Sequence, residues 1–332
     1  MGTMGIPGIT GLPVPTPLGL GIDVGGANVL PCGGKTFFVR GNGTTATYYD
    51  DVWNKLTVKD MSGGLYPSVA AALGQCTAGR GDRIIVLPGH TENLATAAAW
   101  TFVDNVEIIC LGRGATRPTF TFTAAAATLV VNKKGVRISN ARFLCAGPGA
   151  GALTVAAPFT ISGEGCLLDS NYFEIGIDAT HLCTDFCNVS AANVVFYDNS
   201  IRSLAQTAAV VSCVTLTGAD YFRFIGNRCK SALSVATKGF IANSTTASAD
   251  IEIVGNTFWQ WKSDSSACIS LAAASVTTGR IVGNRMRVMN NASINGITTG
   301  GSGVDVAEFS NEIVNDANET GVLNQGTVSA AT

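Results

Sequence analysis

Charge is scarce in this chain. Its 21 Lys and Arg and 23 Asp and Glu make up 13% of 332 residues and leave a formal net charge of −2. Ordinary domains carry about a quarter of such residues. With so few cations and no basic run in the sequence, nucleic-acid binding has little support. Histidine is rarer still: His90 and His181 are the only two, too far apart in sequence to suggest a catalytic triad. No apolar run approaches the roughly 18 residues of a membrane-spanning helix. The first lysine is Lys35, so no basic stretch precedes an apolar segment as in a secretory signal. Low charge can mean a surface largely covered by partners. It can equally mean a surface made polar by Ser, Thr and Asn.

Cysteine, by contrast, is plentiful at ten residues. Cys110, Cys166 and Cys229 fall at strand phases held elsewhere by Val, Leu or Ile, where a thiol acts as a small core hydrophobe. A chain of this length needs no disulfide staples, so reduced, buried thiols are expected.

What dominates the sequence is a repeat. Cys166 to Asn171, Asn193 to Asn199, Tyr221 to Asn227, Ile251 to Asn256 and Gly279 to Asn284 each run an apolar alternation into asparagine, and a weaker copy ends at Asn311. These asparagines are 28, 28, 29, 28 and 27 residues apart. A fixed period in this range marks a solenoid, in which each unit buries its apolar side against its neighbours. Three phases are apolar. Five residues before the asparagine stand Cys166, Val194, Phe222, Ile251 and Val306; three before it stand Leu168, Phe196, Phe224, Ile253 and Ile281; two after it stand Phe173, Ile201, Cys229, Phe258, Met286 and Ile313. Alternation of period two is a strand with one buried face. The asparagine suits a tight corner because it tolerates left-handed backbone, and stacked corner asparagines can bond to one another.

About 28 residues per unit allow three short strands and three turns, and equivalent strands of successive units must run parallel. Parallel crossovers are right-handed, so the expected fold is an all-β, right-handed single-stranded parallel β-helix. Arg83 to Gly89 and Val106 to Gly112 form its first two coils. In Val136 to Asn140 the asparagine comes one place early, so a differently shaped corner is expected there. Val69, Ala70 and Leu73 suggest a short amphipathic helix capping the open end, with Gly79 beyond it. The chain divides into an extended arm (1–35), a cap region (36–80), the β-helix (81–316) and a C-terminal tail (317–332).

Residues 1–34 hold one charged residue, Asp23, and five of the ten prolines. They also carry Ile6, Ile9, Leu12, Val14, Leu18, Leu20 and Ile22, unlike a disordered tail. Such an arm is expected to be pinned to other chains. Trp259 and Trp261 flank the inward phase of Phe258 and should both point outward, as a subunit contact, a sugar-stacking platform or a pair covered by a side loop.

Other motifs carry less. Gly33-Gly34-Lys35-Thr36 echoes the end of a phosphate-binding loop, but Val29 stands where its first glycine belongs. His181, Cys183 and Cys187 have no standard zinc spacing and no fourth ligand. Glu174, Asp178, Asp198, Asp220, Asp250 and Asp264 sit at different phases and form no paired carboxylates. No catalytic residue, cofactor or metal is expected.

The stretch Tyr66 to Leu73, continuing through Gly81-Asp82-Arg83 to Leu87-Pro88-Gly89-His90-Thr91-Glu92, resembles the opening of pectate-lyase-like β-helix proteins. With Leu111 to Gly114 and Arg117 to Ala127, it more closely resembles bacteriophage virion proteins of that fold. The resemblance covers about residues 65 to 316. It implies a homotrimer in the virion that decorates or cements a capsid, with the major capsid protein or other virion proteins as partners, or else a tail spike. The lyases' catalytic arginine and calcium-binding aspartates have no matching motif, so no catalytic residue carries over. The leading expectation is a structural virion protein, placed on the capsid surface rather than the tail and anchored by its arm. A tail spike or fibre that binds host polysaccharide, and cleaves it in some versions, is the alternative. A free polysaccharide lyase or hydrolase comes third.

Overall fold

The computed structural model describes residues 34–40, 65–145, 152–205, 207–233, 239–244, 246–260, 267–271, 277–288, 296–299, 304–315 and 320–324. The chain winds into a right-handed parallel β-helix of about eight turns, with roughly 28 residues per coil and little helix. Three sheets form its sides. Sheet A has 11 strands, from Leu65–Tyr66 to Val304–Phe309; sheet B has 13; sheet C has seven, from Leu129–Val131 to Ile297–Thr298. Most strands pair in parallel with their equivalents one coil away. In sheet A, Leu168 faces Phe196, then Phe224, Ile253 and Ile281 in unbroken register. A residue type kept at one phase of the sequence therefore becomes a column in space.

The inward columns are those the alternation marks. Leu168, Phe196, Phe224, Ile253 and Ile281 are buried, as are Phe173, Ile201, Cys229, Phe258 and Met286. Phe143 and Phe173 stack at 5.4 Å between ring centroids, and Phe224 and Phe258 at 6.1 Å. Nine cysteines are described, all unpaired, with Cys110, Cys166 and Cys229 buried. Burial pushes the thiol of Cys166 up to about 11 and that of Cys268 to about 12.

The corner from sheet A to sheet B divides its work between two residues, which corrects the expectation that asparagine takes the left-handed position. The left-handed residue is the one before it: Ser170, Asp198, Gly226, Gly255, Gly283 and Ser310. The asparagine that follows is buried and bonded up the stack. Asn199 Nδ2 donates to Asn227 Oδ1 at 2.9 Å, and the series continues through Asn256 and Asn284 to Asn311. Each asparagine also donates to a carbonyl of the previous coil, as Asn227 does to Phe196 at 2.9 Å. At the early copy, Asn140 itself is left-handed, with φ of 57°. Ala141 then holds the ladder position, and its N–H donates to Asn171 Oδ1 at 2.9 Å. The one-residue offset thus marks where the ladder starts.

Sheet A begins earlier than the expected cap boundary. Strand β1 (Thr36–Val39) already pairs in register with Arg83–Val86. Helix α1 (Val69–Leu73) buries Val69, Ala72 and Leu73, whereas Ala70 is exposed, and Gly74 ends it before Gly79 is reached. Its free N–H groups are answered by side chains: Ser68 Oγ accepts from Ala71, and Glu92 Oε2 from Val69 at 2.9 Å. Trp100 Nε1 donates to the other Glu92 oxygen at 3.2 Å, and His90 Nε2 lies 3.2 Å from Oε2. Gly34 is explained without phosphate, because a Cβ there would lie 2.0 Å from the Gly81 carbonyl oxygen.

Asp82 ties the arm's end to this first coil. Its carboxylate accepts from the backbone N–H of Lys35 and Thr77, both at 2.7 Å, and from the guanidinium of Arg80. Burial alone would raise its pKa. The Arg80 hydrogen bonds and the two N–H groups outweigh that and hold it below the usual carboxylate range. The stability it contributes is therefore complete above about pH 4, the unfolded value, and is lost as pH falls through the lower folded value. Asp82→Asn is expected to cost about 2–3 kcal/mol at neutral pH. In urea melts, the gap to wild type should close as the pH drops; a gap independent of pH would rule out the charge as its source.

The last coil breaks the pattern. Glu308 stands opposite Ile281 in the inward column and is 8% exposed. Burial raises its carboxyl above the usual range, with a Thr299 hydrogen bond opposing. Beyond it, Thr320–Asn324 turns back antiparallel onto Asn311–Asn315, so part of the expected tail pairs with the final strand of sheet B. An inward charge and a paired edge both discourage addition of further strands. Glu308→Ile is expected to stabilise this coil by about 1–3 kcal/mol at neutral pH. A raised folded pKa favours folding below the unfolded value and loses that contribution as pH rises through the folded one. The variant's advantage should therefore shrink in acid, which hydrogen exchange of the last coils would read directly.

Candidate partner-binding surfaces

The outer face of sheet B carries the residues one and three places after each ladder asparagine. In register from coil to coil, one column runs Arg142, Tyr172, Ser200, Arg228, Thr257, Arg285 and Glu312, and the next Leu144, Glu174, Arg202, Lys230, Trp259, Arg287 and Val314. Six cations and two carboxylates give this face a net charge of +4 among the described residues, on a chain whose formal net charge is −2. The sequence has no basic run, yet the fold builds a basic face. Arg228 and Lys230, and Arg285 and Arg287, share a strand, but the pairs and the remaining cations lie roughly a coil apart in sequence, and stacking gathers them into one face. Their shared phase relative to the asparagine was the signal that could have found them.

Stacked neighbours sit about 4.8 Å apart, so adjacent cations need something between them. Glu174 is buried and binds Arg142 at 2.7 Å, with Arg202 at 4.0 Å. Tyr172 lies under Arg202, whose guanidinium carbon is 4.8 Å from the ring centroid. Trp259 points outward as expected, but Lys230 covers one neighbouring position at 3.9 Å and Arg287 the other at 4.9 Å. With coils stacked above and below it, the ring has no bare face for a sugar to stack on. Trp261 lies outside the described residues.

The outer face of sheet A holds two different columns. Arg83, Glu107 and Arg137 alternate in charge, ending in Arg137 to Asp169 at 2.9 Å; Arg223, Glu252 and Arg280 alternate again, at 3.3 and 2.7 Å. Beside the second set runs an apolar column that sequence reading missed: Tyr197, Ile225, Val254, Val282 and Phe309, one per coil over five coils. Its ends are 51% and 44% exposed. Ile225, Val254 and Val282 between them are half-buried, so the column is a partly exposed apolar stripe and a candidate contact surface.

The residues considered for chemistry do not converge. Glu174 is held by arginines on sheet B. Asp198 and Asp250 occupy left-handed corners on opposite edges of sheet A, and Asp220 accepts from the Ala249 N–H at 2.8 Å. Asp264 lies outside the described residues. Asp178 accepts from Thr180 and His181, which hold its carboxyl down at about 2, the Thr180 N–H contributing most. His181 turns to that carboxylate while Cys183 and Cys187 point into the core. Among the described residues no three His, Cys, Asp or Glu side chains come together as metal ligands. A corner recess of about 320 Å³, lined by Arg117, Tyr172, Asp198, Ser200 and Arg228, contains a single carboxylate.

The arm residues Ile6, Ile9, Leu12, Val14, Leu18, Leu20 and Ile22 lie outside the described residues. No protein-family model, curated protein or solved structure matches this chain.

Proposed function

We propose that this protein is a structural component of a bacteriophage particle, a trimeric β-helix that decorates or cements the capsid and is anchored by its N-terminal arm. The observation that carries the reading is the junction at Asp82. An arm with ten large aliphatic residues and one charge leads directly into a backbone N–H held at 2.7 Å by a buried, multiply bonded carboxylate. A firm root under an apolar arm suits a tether that bears load. The outer faces add to this: each presents a long column, basic on sheet B and apolar on sheet A, of the sort that meets other proteins. The second reading, a tail spike or fibre that holds host polysaccharide, draws on the recess beside Arg228.

Deleting residues 2–34 should leave the β-helix folded, since Lys35, Asp82 and the core all remain. The same deletion should abolish or sharply weaken incorporation into particles. Leu12, Val14, Leu18 and Leu20 would each contribute roughly 1.5–3 kcal/mol if fully covered. Truncated protein that fills shells at wild-type occupancy would refute the arm as anchor. Copy number by quantitative gel separates the two readings, hundreds per particle for a shell and tens or fewer for a tail.

A further inference from the structure

An arm destined for a shell needs a place to lie before assembly. We propose that three successive members of the every-third-residue series within residues 6–18 of each chain dock along the apolar column of that chain's own sheet A, from Tyr197 to Phe309. This goes beyond the shell reading, which concerns the assembled particle.

The column is a narrow ledge. It is one side chain wide and about 19 Å long, four coil steps of about 4.8 Å. On one side stand Arg223, Glu252 and Arg280. On the other are the corner glycines Gly226, Gly255 and Gly283, where an added Cβ would meet nothing within 4 Å. A second copy of the face fits badly when the two-fold axis crosses the column at Val254, since that pairing sets Glu252 against Glu252 and Arg223 against Arg280. A thin extended segment meets neither conflict.

The arm's sequence has the matching repeat. Ile6, Ile9, Leu12, Pro15 and Leu18 recur every third residue, among Pro7, Pro13, Pro15 and Pro17. Prolines cannot add to a strand ladder but favour the polyproline II conformation. That helix has about three residues per turn and rises about 3.1 Å per residue, so every third side chain shares a face at intervals of about 9.3 Å. Alternate coils of the ledge, at Tyr197, Val254 and Phe309, are about 9.6 Å apart. Three successive members of the series therefore cover three alternate coils. The arm's one charge, Asp23, is negative, and the flanking column has two arginines to one glutamate.

Reach allows the arm to use its own ledge. Phe309 lies nine strands along sheet A from β1, about 43 Å at the strand spacing. Seventeen residues separate Leu18 from Lys35 and extend to about 53 Å. A tethered segment within reach has an effective concentration in the millimolar range, far above that of a second molecule in dilute solution.

The test uses the full-length protein with p-benzoylphenylalanine in place of Val254. On irradiation, cross-linked peptides should join position 254 to residues 1–33 with no dimer-sized band on a denaturing gel. A cross-linked dimer, or no cross-link to residues 1–33, would overturn the proposal. A second measurement uses Ile225→Asp combined with Val254→Asp, both outward-facing changes. Proteinase K should cut within residues 1–33 at least about tenfold faster in this variant, while the β-helix melts as before; unchanged cutting would also overturn it. Particle incorporation judges the other reading separately. Protein that cross-links as described but never enters particles would refute the shell role alone, and protein that enters particles without the cross-link would refute the docking alone.

Discussion

Asn227→Ala is expected to destabilise the β-helix by about 3–5 kcal/mol, although it removes only a few atoms. The carboxamide sits fully buried at the centre of the ladder. Its oxygen accepts from the Asn199 N–H and from Asn199 Nδ2, both at 2.9 Å, and its nitrogen donates to the Phe196 carbonyl at 2.9 Å and to Asn256 at 3.2 Å. Alanine leaves the Asn199 N–H and the Phe196 carbonyl without these partners, and each orphaned buried group costs about 1–3 kcal/mol. Asn227→Asp should fare no better, since it keeps the acceptors, loses the donor and buries a charge. Denaturant unfolding followed by circular dichroism gives the value. A loss below about 1 kcal/mol for the alanine variant would mean that water replaces the ladder, and the corner would then owe its shape to the left-handed residue alone.

Phe224→Ala should cost a similar amount, about 3–5 kcal/mol, for a different reason. Its ring is fully buried between Phe196 at 5.7 Å and Phe258 at 6.1 Å, with Phe222 at 6.3 Å. Truncation leaves a cavity that the flanking coils cannot close, because their register is locked by backbone hydrogen bonds on both sides. In a solenoid each unit contacts only its neighbours, so the damage should be local. Hydrogen exchange should quicken around Phe196 and Ile253 and hardly change around Phe120 and Phe143. Uniform loss of protection along the whole chain would contradict nearest-neighbour stability.

The parts legible in the sequence were those governed by period. Alternation around Phe196, Phe224 and Ile253 specified strands and their buried face, and the asparagine spacing specified the coil. The cap helix was legible in position but not in facing, because five residues make little more than one turn and Ala70 and Ala72 are chemically alike. The division of the corner between a left-handed residue and a bonded asparagine was missed. Gly, Asp and Ser at the left-handed position share no hydrophobic signal, although the early Asn140 was a visible clue. Glu308 was missed because its coil was read from Val306 and Ile313, which do keep the pattern.

By itself the sequence determined which residues share a phase, since strand alternation and coil length are short-range properties of one unit. It also determined that a proline-rich arm with a single charge precedes the first coil. What only the tertiary structure decided is which outward residues become neighbours. Arg202 and Lys230, or Tyr197 and Ile225, are 28 residues apart along the chain yet direct neighbours, about 4.8 Å apart, across the coils. Outward side chains are not constrained by the core, so no pattern within a unit announces them. Their surfaces arise only when parallel strands stack in register at about 4.8 Å and turn a shared phase into a continuous face.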